Sequence, residues 1–123
     1  MAHPATLVID DDPFFGDTLQ QALHGYQVTV VCAADVASAR KHLDEGSFCA
    51  LVLDIVLADG SGFDVLRYMT EKQMAIPTVV VTKKLPSYVR EMLDEEHVKL
   101  VLPKPVEMKL LGAIVLGLCG INI

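Results

Sequence analysis

Short aliphatic runs rich in β-branched residues alternate along the chain with segments that have helical spacing. Five runs are present: ATLVID (5–10), YQVTVVCA (26–33), CALVLDI (49–55), TVVVT (78–82) and VKLVLPKP (98–105). Nearly continuous apolar runs are typical of parallel strands buried on both faces of a sheet. Because strands separated by helices pair through right-handed crossovers, the pattern predicts one doubly wound α/β domain. We expect a five-stranded parallel sheet with helices on both faces, spanning residues 1–123.

The segments between the runs carry the start and stop signals of helices. In PFFGDTLQQALHG (13–25), the residues Phe14, Leu19 and Leu23 are predicted to share a buried face, with Gly25 after the last turn. Asp35 is expected to cap a second helix. Further helices are predicted within ADGSGFDVLRYMTEK (58–72), which opens with a Gly-rich turn, LPSYVREMLDEEH (85–97) and VEMKLLGAIVLGLCG (106–120).

Composition excludes several classes of function. The net charge is −6 and the isoelectric point is about 5.0, so we expect no direct nucleic-acid binding, which needs a basic surface. The three cysteines form no CxxC pair and are predicted to be reduced, mostly buried thiols of a cytoplasmic protein. The late apolar stretch 110–123 is shorter than the roughly 20 residues of a membrane span, so no membrane association is expected.

Polar side chains lie at the end of four of the five runs or directly after it. They are Asp10, Asp11 and Asp12 after the first run, Asp54 in the third, Thr82 in the fourth and Lys104 in the fifth. Each has a simple structural explanation when taken alone, and Asp12 is expected to cap the helix that starts at Pro13. In an open parallel sheet, however, ligands bind beyond the carboxyl ends of the strands. The shared position therefore predicts a site at this edge.

These residue types point to phosphoryl chemistry. Two carboxylates about 4 Å apart repel each other by roughly 4 kcal/mol at an effective dielectric constant near 20. Mg²⁺ accepts oxygen ligands and would offset that repulsion. A carboxylate beside such an ion can attack phosphorus and form an aspartyl phosphate. The ammonium of Lys104 and the hydroxyl of Thr82 could then bind the phosphoryl oxygens.

The chain from Leu7 to about Leu118 resembles the receiver domain of two-component response regulators. The motifs that carry the resemblance are LVIDDDP, LVLDIVLADGSG, IPTVVVT and LPKP. Gly62 follows Asp54 by eight residues and Lys104 follows Thr82 by 22, which are spacings usual for that family. The resemblance implies a flavodoxin-like fold with strand order 2-1-3-4-5, and a signalling domain that catalyses only its own phosphotransfer and dephosphorylation.

The resemblance also implies a role for each site residue. Asp54 is the expected phosphoacceptor. Asp11, Asp54 and the backbone carbonyl of Val56 are expected to bind Mg²⁺ directly, and Asp10 through water. Lys104 would contact the phosphoryl group.

The resemblance further implies how a signal enters and leaves the domain. Thr82 would turn inward to bond the phosphoryl group. The donor would be a phosphohistidine on a sensor kinase or phosphotransfer protein. The region from Lys83 to Ser87 and the helix after it are expected to move, and a partner would read the fourth and fifth helices. The uncharged stretch 110–123 predicts a homodimer or an adjacent output domain on the last helix.

The sequence departs from the family pattern at three positions. Ala58 stands where proline is frequent, so the loop after Asp54 is expected to be less rigid. Val101 stands where an aromatic switch residue is common, and Lys83 stands where a small residue is preferred. Val56, which is apolar, is expected to exclude water and slow the hydrolysis of an aspartyl phosphate.

Two other functions fit parts of the pattern. A pseudo-receiver would be a binding module that takes no phosphate, and the Val101 and Lys83 departures favour it. A phosphohydrolase of the haloacid dehalogenase type would use Asp10 as nucleophile with Asp12 two residues later. That second interpretation leaves Asp54 without a role.

Overall fold

The structure is a computed structural model, and it describes residues 3–83 and 97–121. The elements in these ranges are β1 (Ala5–Ile9), α1 (Pro13–Ala22), β2 (Thr29–Ala33), α2 (Val36–Glu45), β3 (Ala50–Leu53), β4 (Val56–Leu57), β5 (Gly60–Ser61), α3 (Gly62–Glu71), β6 (Thr78–Thr82), β7 (Val98–Pro103) and α4 (Met108–Leu118). Five strands form a sheet in the order β2-β1-β3-β6-β7, and every pair in it is parallel. The predicted α/β architecture and strand order are confirmed. The helix predicted at 85–97 lies almost entirely outside the described residues.

The strand register brings the ends of the strands to one edge. Ile9 lies opposite both Ala33 in β2 and Leu53 in β3. The next residues continue this pairing, because the amide of Asp10 donates to the carbonyl of Ala33 (3.0 Å) and the amide of Asp54 donates to that of Ile9 (2.9 Å). Backbone pairing alone therefore places the two aspartates beside each other.

Alternate residues of the central strands enter two separate apolar layers. The layer on the side of α2 and α3 includes Leu7, Ile9, Leu51, Leu53, Leu66 and Met69. The layer on the side of α1 and α4 includes Val8, Leu19, Val52, Val79, Leu111 and Val115. Burial of both faces explains why the strands are apolar at consecutive positions. No helix within the described ranges is both long enough and apolar enough to cross a membrane.

Both predicted helix caps are confirmed. The carboxylate of Asp12 accepts a hydrogen bond from the amide of Phe14 (3.0 Å), and Asp35 accepts one from the amide of Ser38 (2.8 Å). Ser38 also closes a capping box with Asp35, which fixes the first turn of α2. The helix ends at Glu45, and Gly46 is its C-cap.

The predicted buried face of α1 was partly wrong. Phe14 is 74% exposed, and the neighbouring Phe15 is buried instead. Phe15, Leu19 and Leu23 are four residues apart and form one stripe, which Phe14 does not join. The last helical residue is Ala22, and Gly25 lies beyond the helix with a φ of 91°.

The prediction of three reduced and mostly buried thiols was also wrong. Cys49 and Cys119 are joined by a disulfide with a Cα–Cα distance of 4.9 Å, and Cys32 is free and exposed. Cys49 directly precedes β3, and Cys119 directly follows α4, which packs across the sheet. Their sequence separation of 70 conceals the proximity of these cysteines in the sequence.

Candidate functional site

Three carboxylates meet at the carboxyl edge of the sheet. Asp10, Asp11 and Asp54 each place one oxygen within 4.8 Å of the others. Asp10 and Asp54 are only 7% and 8% exposed, whereas Asp11 is exposed. Hard carboxylate oxygens at this spacing are the donors that Mg²⁺ prefers, so the residues present fit the expected ion. The register described above accounts for the convergence of two of them.

Lys104 joins this cluster from the end of β7. Its Nζ donates to Asp10 Oδ2 at 2.6 Å and to Asp54 Oδ2 at 2.9 Å. The same ammonium lies 4.7 Å from the centre of the Phe15 ring, within the range of a cation–π contact. A buried carboxylate without a partner is strongly destabilising, and Lys104 provides that partner for two of them.

The electrostatics of the cluster favour the binding of another positive charge. Burial raises the pKa of Asp10, even though hydrogen bonds from Lys104 and from the amide of Asp12 act in the opposite direction. Burial alone would lower the pKa of Lys104, but its bonds to Asp10 and Asp54 outweigh that effect and raise it. Lys104 therefore stays protonated at neutral pH, while the ionised form of Asp10 is less favourable than it would be in water.

A small antiparallel hairpin follows Asp54, where the sequence indicated only a Gly-rich turn. Val56 pairs with Ser61, and the amide of Val56 donates to Asp54 Oδ1 at 3.2 Å. The hairpin ends at Gly62, where a Cβ would overlap the backbone carbonyl oxygen of Asp54. Because glycine has no Cβ, the first residue of α3 can lie in direct contact with the backbone of Asp54. The side chain of Val56 is 63% exposed beside the cluster.

Thr82 lies at the end of β6 and is fully buried. Its carbonyl accepts a hydrogen bond from the amide of Lys104 (2.9 Å), so the two predicted site residues are adjacent across the sheet. Together with the acids they line a cleft of about 890 Å³, whose other lining residues are Phe15, Val56, Lys83, Pro105, Val106 and Met108. Every predicted site residue therefore borders one cleft.

The structure shows where two of the residues that depart from the receiver-domain pattern lie. Lys83 is exposed at the cleft, and Val101 is half-buried against the layer beside α2 and α3. Asp12 uses a carboxylate oxygen to cap α1, although it also borders the cleft. Sequence reasoning missed Phe15, because the choice between it and Phe14 depends on the exact phase of the helix. It also missed the contacts of Asp59, described below.

Comparison with known proteins agrees with this architecture. The family described as response regulator receiver domain matches residues 6–116. Protein PetR of Rhodobacter capsulatus is 32% identical over 108 residues, which cover 86% of this chain and 44% of PetR. Response regulator protein PilR of Pseudomonas aeruginosa is 28% identical over 82 residues, covering 67% of this chain and 18% of PilR.

The solved structures give the same result for the fold. The non-phosphorylated receiver domain of HemR from Leptospira biflexa superposes with a TM-score of 0.82 at 25% identity. That match covers 98% of this chain and 97% of the HemR domain. By contrast, this chain spans less than half the length of the curated relatives that it matches.

Proposed function

The chain belongs to the response-regulator receiver domains of two-component signalling, and on this premise we propose that it accepts a phosphoryl group on Asp54 with Mg²⁺ as cofactor. Receiver domains are signalling domains rather than metabolic enzymes, and the family acts with histidine kinases or phosphotransfer proteins. The observation that carries the proposal is the double contact of Lys104 with Asp10 and Asp54 beside Asp11.

The acidic cluster supports a metal-binding role. In this proposal the carboxylates of Asp11 and Asp54 and the backbone carbonyl of Val56 hold Mg²⁺, and Asp10 assists through water. The ion, when bound, neutralises part of the negative charge that gathers on the phosphoryl oxygens. Burial raises the pKa of Asp10, and an added cation would favour its ionised form, which supports this assignment.

Asp54, Lys104 and Thr82 have different roles in the proposed phosphotransfer. A carboxylate oxygen of Asp54 forms a bond to phosphorus while the phosphorus–nitrogen bond of the donor phosphohistidine breaks. The electron pair of that bond stays on the histidine nitrogen. Lys104 is close enough to Asp54 to transfer one of its hydrogen bonds to a phosphoryl oxygen. Thr82 supplies a hydroxyl from the neighbouring strand end.

We propose that the outer face of α4 forms a homodimer or contacts an adjacent output domain. Leu110 is 50% exposed, and Ala113 and Gly117, which carry no charge, are exposed on the same side of the helix. Surface helices normally carry a polar stripe at such positions. The proposed location is cytoplasmic.

The test is incubation with acetyl phosphate and Mg²⁺, followed by measurement of the intact mass. We expect the mass of the full chain to increase by one phosphoryl group, and Asp54→Asn to abolish the increase. Asp10→Asn should slow phosphorylation without abolishing it. A phosphohydrolase would show the reverse dependence on these two variants, and a pseudo-receiver would take no phosphoryl group at all.

A further inference from the structure

The hairpin after Asp54 is attached to another helix through its tip. Asp59 Oδ1 accepts a hydrogen bond from the amide of Val36 at 2.7 Å, and Asp59 Oδ2 accepts one from the amide of Ala37 at 3.2 Å. These amides belong to the first two residues of α2, and such groups have no partner within their own helix. The positive end of the helix dipole also favours a carboxylate there.

The N-terminus of α2 is therefore bound by two carboxylates with different origins. Asp35 is adjacent in the chain and binds the amide of Ser38. Asp59 comes from the turn between β4 and β5 and binds the two preceding amides. Asp35 stabilises only the helix, whereas Asp59 also connects the helix to the hairpin.

The other end of the hairpin lies at the candidate site. The amide of Val56 contacts the Asp54 carboxylate, and Gly62 packs against the Asp54 carbonyl. Each strand of the hairpin has only two residues, and a ribbon of this size is not stable without support from its surroundings. Buried Leu57 supplies part of that support, and the Asp59 contacts supply the polar part at the tip.

We propose that Asp59 is a positioning residue that presets the Val56 carbonyl for Mg²⁺ by fixing the hairpin to α2. The inference rests on the proposed function, because it concerns the affinity of that same metal site. Without Asp59, the cost of ordering the hairpin is added to Mg²⁺ binding. We expect Asp59→Ala to weaken Mg²⁺ affinity about fivefold, the factor that corresponds to the usual free energy of one helix-capping carboxylate.

The experiment is a Mg²⁺ titration of the ¹⁵N-labelled full chain, followed through the amide resonances of Asp54 and Val56. The matched control is Asp35→Ala, which removes a capping carboxylate from the same end of α2 without touching the hairpin. Both variants should lower the melting temperature, but only Asp59→Ala should weaken Mg²⁺ binding. Asp59→Asn retains one acceptor oxygen and should give an intermediate affinity, and it serves as the test if Asp59→Ala does not fold.

The outcomes separate the two proposals. If the wild-type chain binds no Mg²⁺, the proposed function itself is wrong. If the wild type binds Mg²⁺ but Asp59 and Asp35 variants share its affinity, or are weakened equally, the positioning role of Asp59 is refuted. The rate of phosphorylation by acetyl phosphate gives a second readout. At saturating Mg²⁺, the rate in Asp59→Asn should be close to that of the wild type.

Discussion

The two edges of the same parallel sheet are built differently. At the carboxyl edge, buried Asp10 and Asp54 share one lysine ammonium in an open cleft. At the amino edge, the hydroxyl of Thr6 in β1 donates to the backbone carbonyl of Ala50 at 2.9 Å. The adjacent Cys49 is linked covalently to the end of α4. The comparison indicates that the amino edge stabilises the fold, whereas the carboxyl edge holds charged side chains that are accessible to a ligand.

Removing the disulfide should have the largest effect on stability and should leave the chemistry intact. The disulfide joins residues 70 positions apart and so lowers the conformational entropy of the unfolded chain. This loss raises the free energy of the unfolded chain by about 4 kcal/mol. We therefore expect Cys119→Ala to lower the free energy of unfolding by about that amount in oxidised protein, as measured by urea denaturation. Phosphorylation by acetyl phosphate should be unchanged.

The control for this variant is Cys32→Ser, which alters the free thiol and should have little effect on unfolding. A loss of phosphorylation in Cys119→Ala under conditions where the protein is folded would contradict the separation of the two edges.

A substitution directly beneath Asp54 should affect stability and chemistry together. In Gly62→Ala, the added methyl group would overlap the Asp54 carbonyl oxygen, so we expect a loss of about 1–3 kcal/mol and slower phosphorylation. Gly117→Ala is the matched change in α4, where nothing lies within 4 Å of the added carbon. It should stabilise the protein by about 0.5–1 kcal/mol. Equal effects of the two variants in thermal unfolding would contradict this explanation.

Neutralising one acid of the carboxyl edge should stabilise the metal-free protein. Because burial raises the pKa of Asp10, its contribution to stability is present below the unfolded value of 3.8 and is lost as the pH rises through the higher folded value. At neutral pH we therefore expect Asp10→Asn to raise the melting temperature. The difference should vanish in acid and should shrink when Mg²⁺ is added. A lower melting temperature at neutral pH would show that the bond to Lys104 outweighs burial.

The smallest expected effect concerns the lifetime of the phosphorylated form. Val56 is exposed and apolar beside Asp54, and it offers no group that could orient an attacking water. Val56→Asn should therefore hydrolyse its aspartyl phosphate faster than the wild type, as followed by the decay of the phosphorylated mass after removal of the donor. Equal decay rates would show that the side chain at this position does not control access of water.

The sequence predicts those parts of the molecule that depend on local pattern. The strands follow from consecutive apolar residues, and the meeting of Asp10, Asp54 and Lys104 follows from the rule that parallel strands end at one edge. The caps at Asp12 and Asp35 are likewise visible, because each acts on the helix immediately after it.

The features that the sequence did not predict depend on distant packing. Cys49 approaches Cys119 because α4 packs on the sheet beside β3, and Asp59 contacts Val36, 23 positions away, from the tip of the hairpin. Neither contact has a periodic or adjacent signal. The burial of Phe15 in place of Phe14 depends on helix phase, which short apolar patterns define poorly.

The most direct test of the account is to locate the phosphoryl group. The wild-type chain would be incubated with acetyl phosphate, treated with borohydride to reduce the aspartyl phosphate, digested and analysed by tandem mass spectrometry. We predict reduction at Asp54 alone, and none when Mg²⁺ is omitted. Modification at Asp10 or Asp12, or modification of Asp54 that is independent of Mg²⁺, would contradict the account.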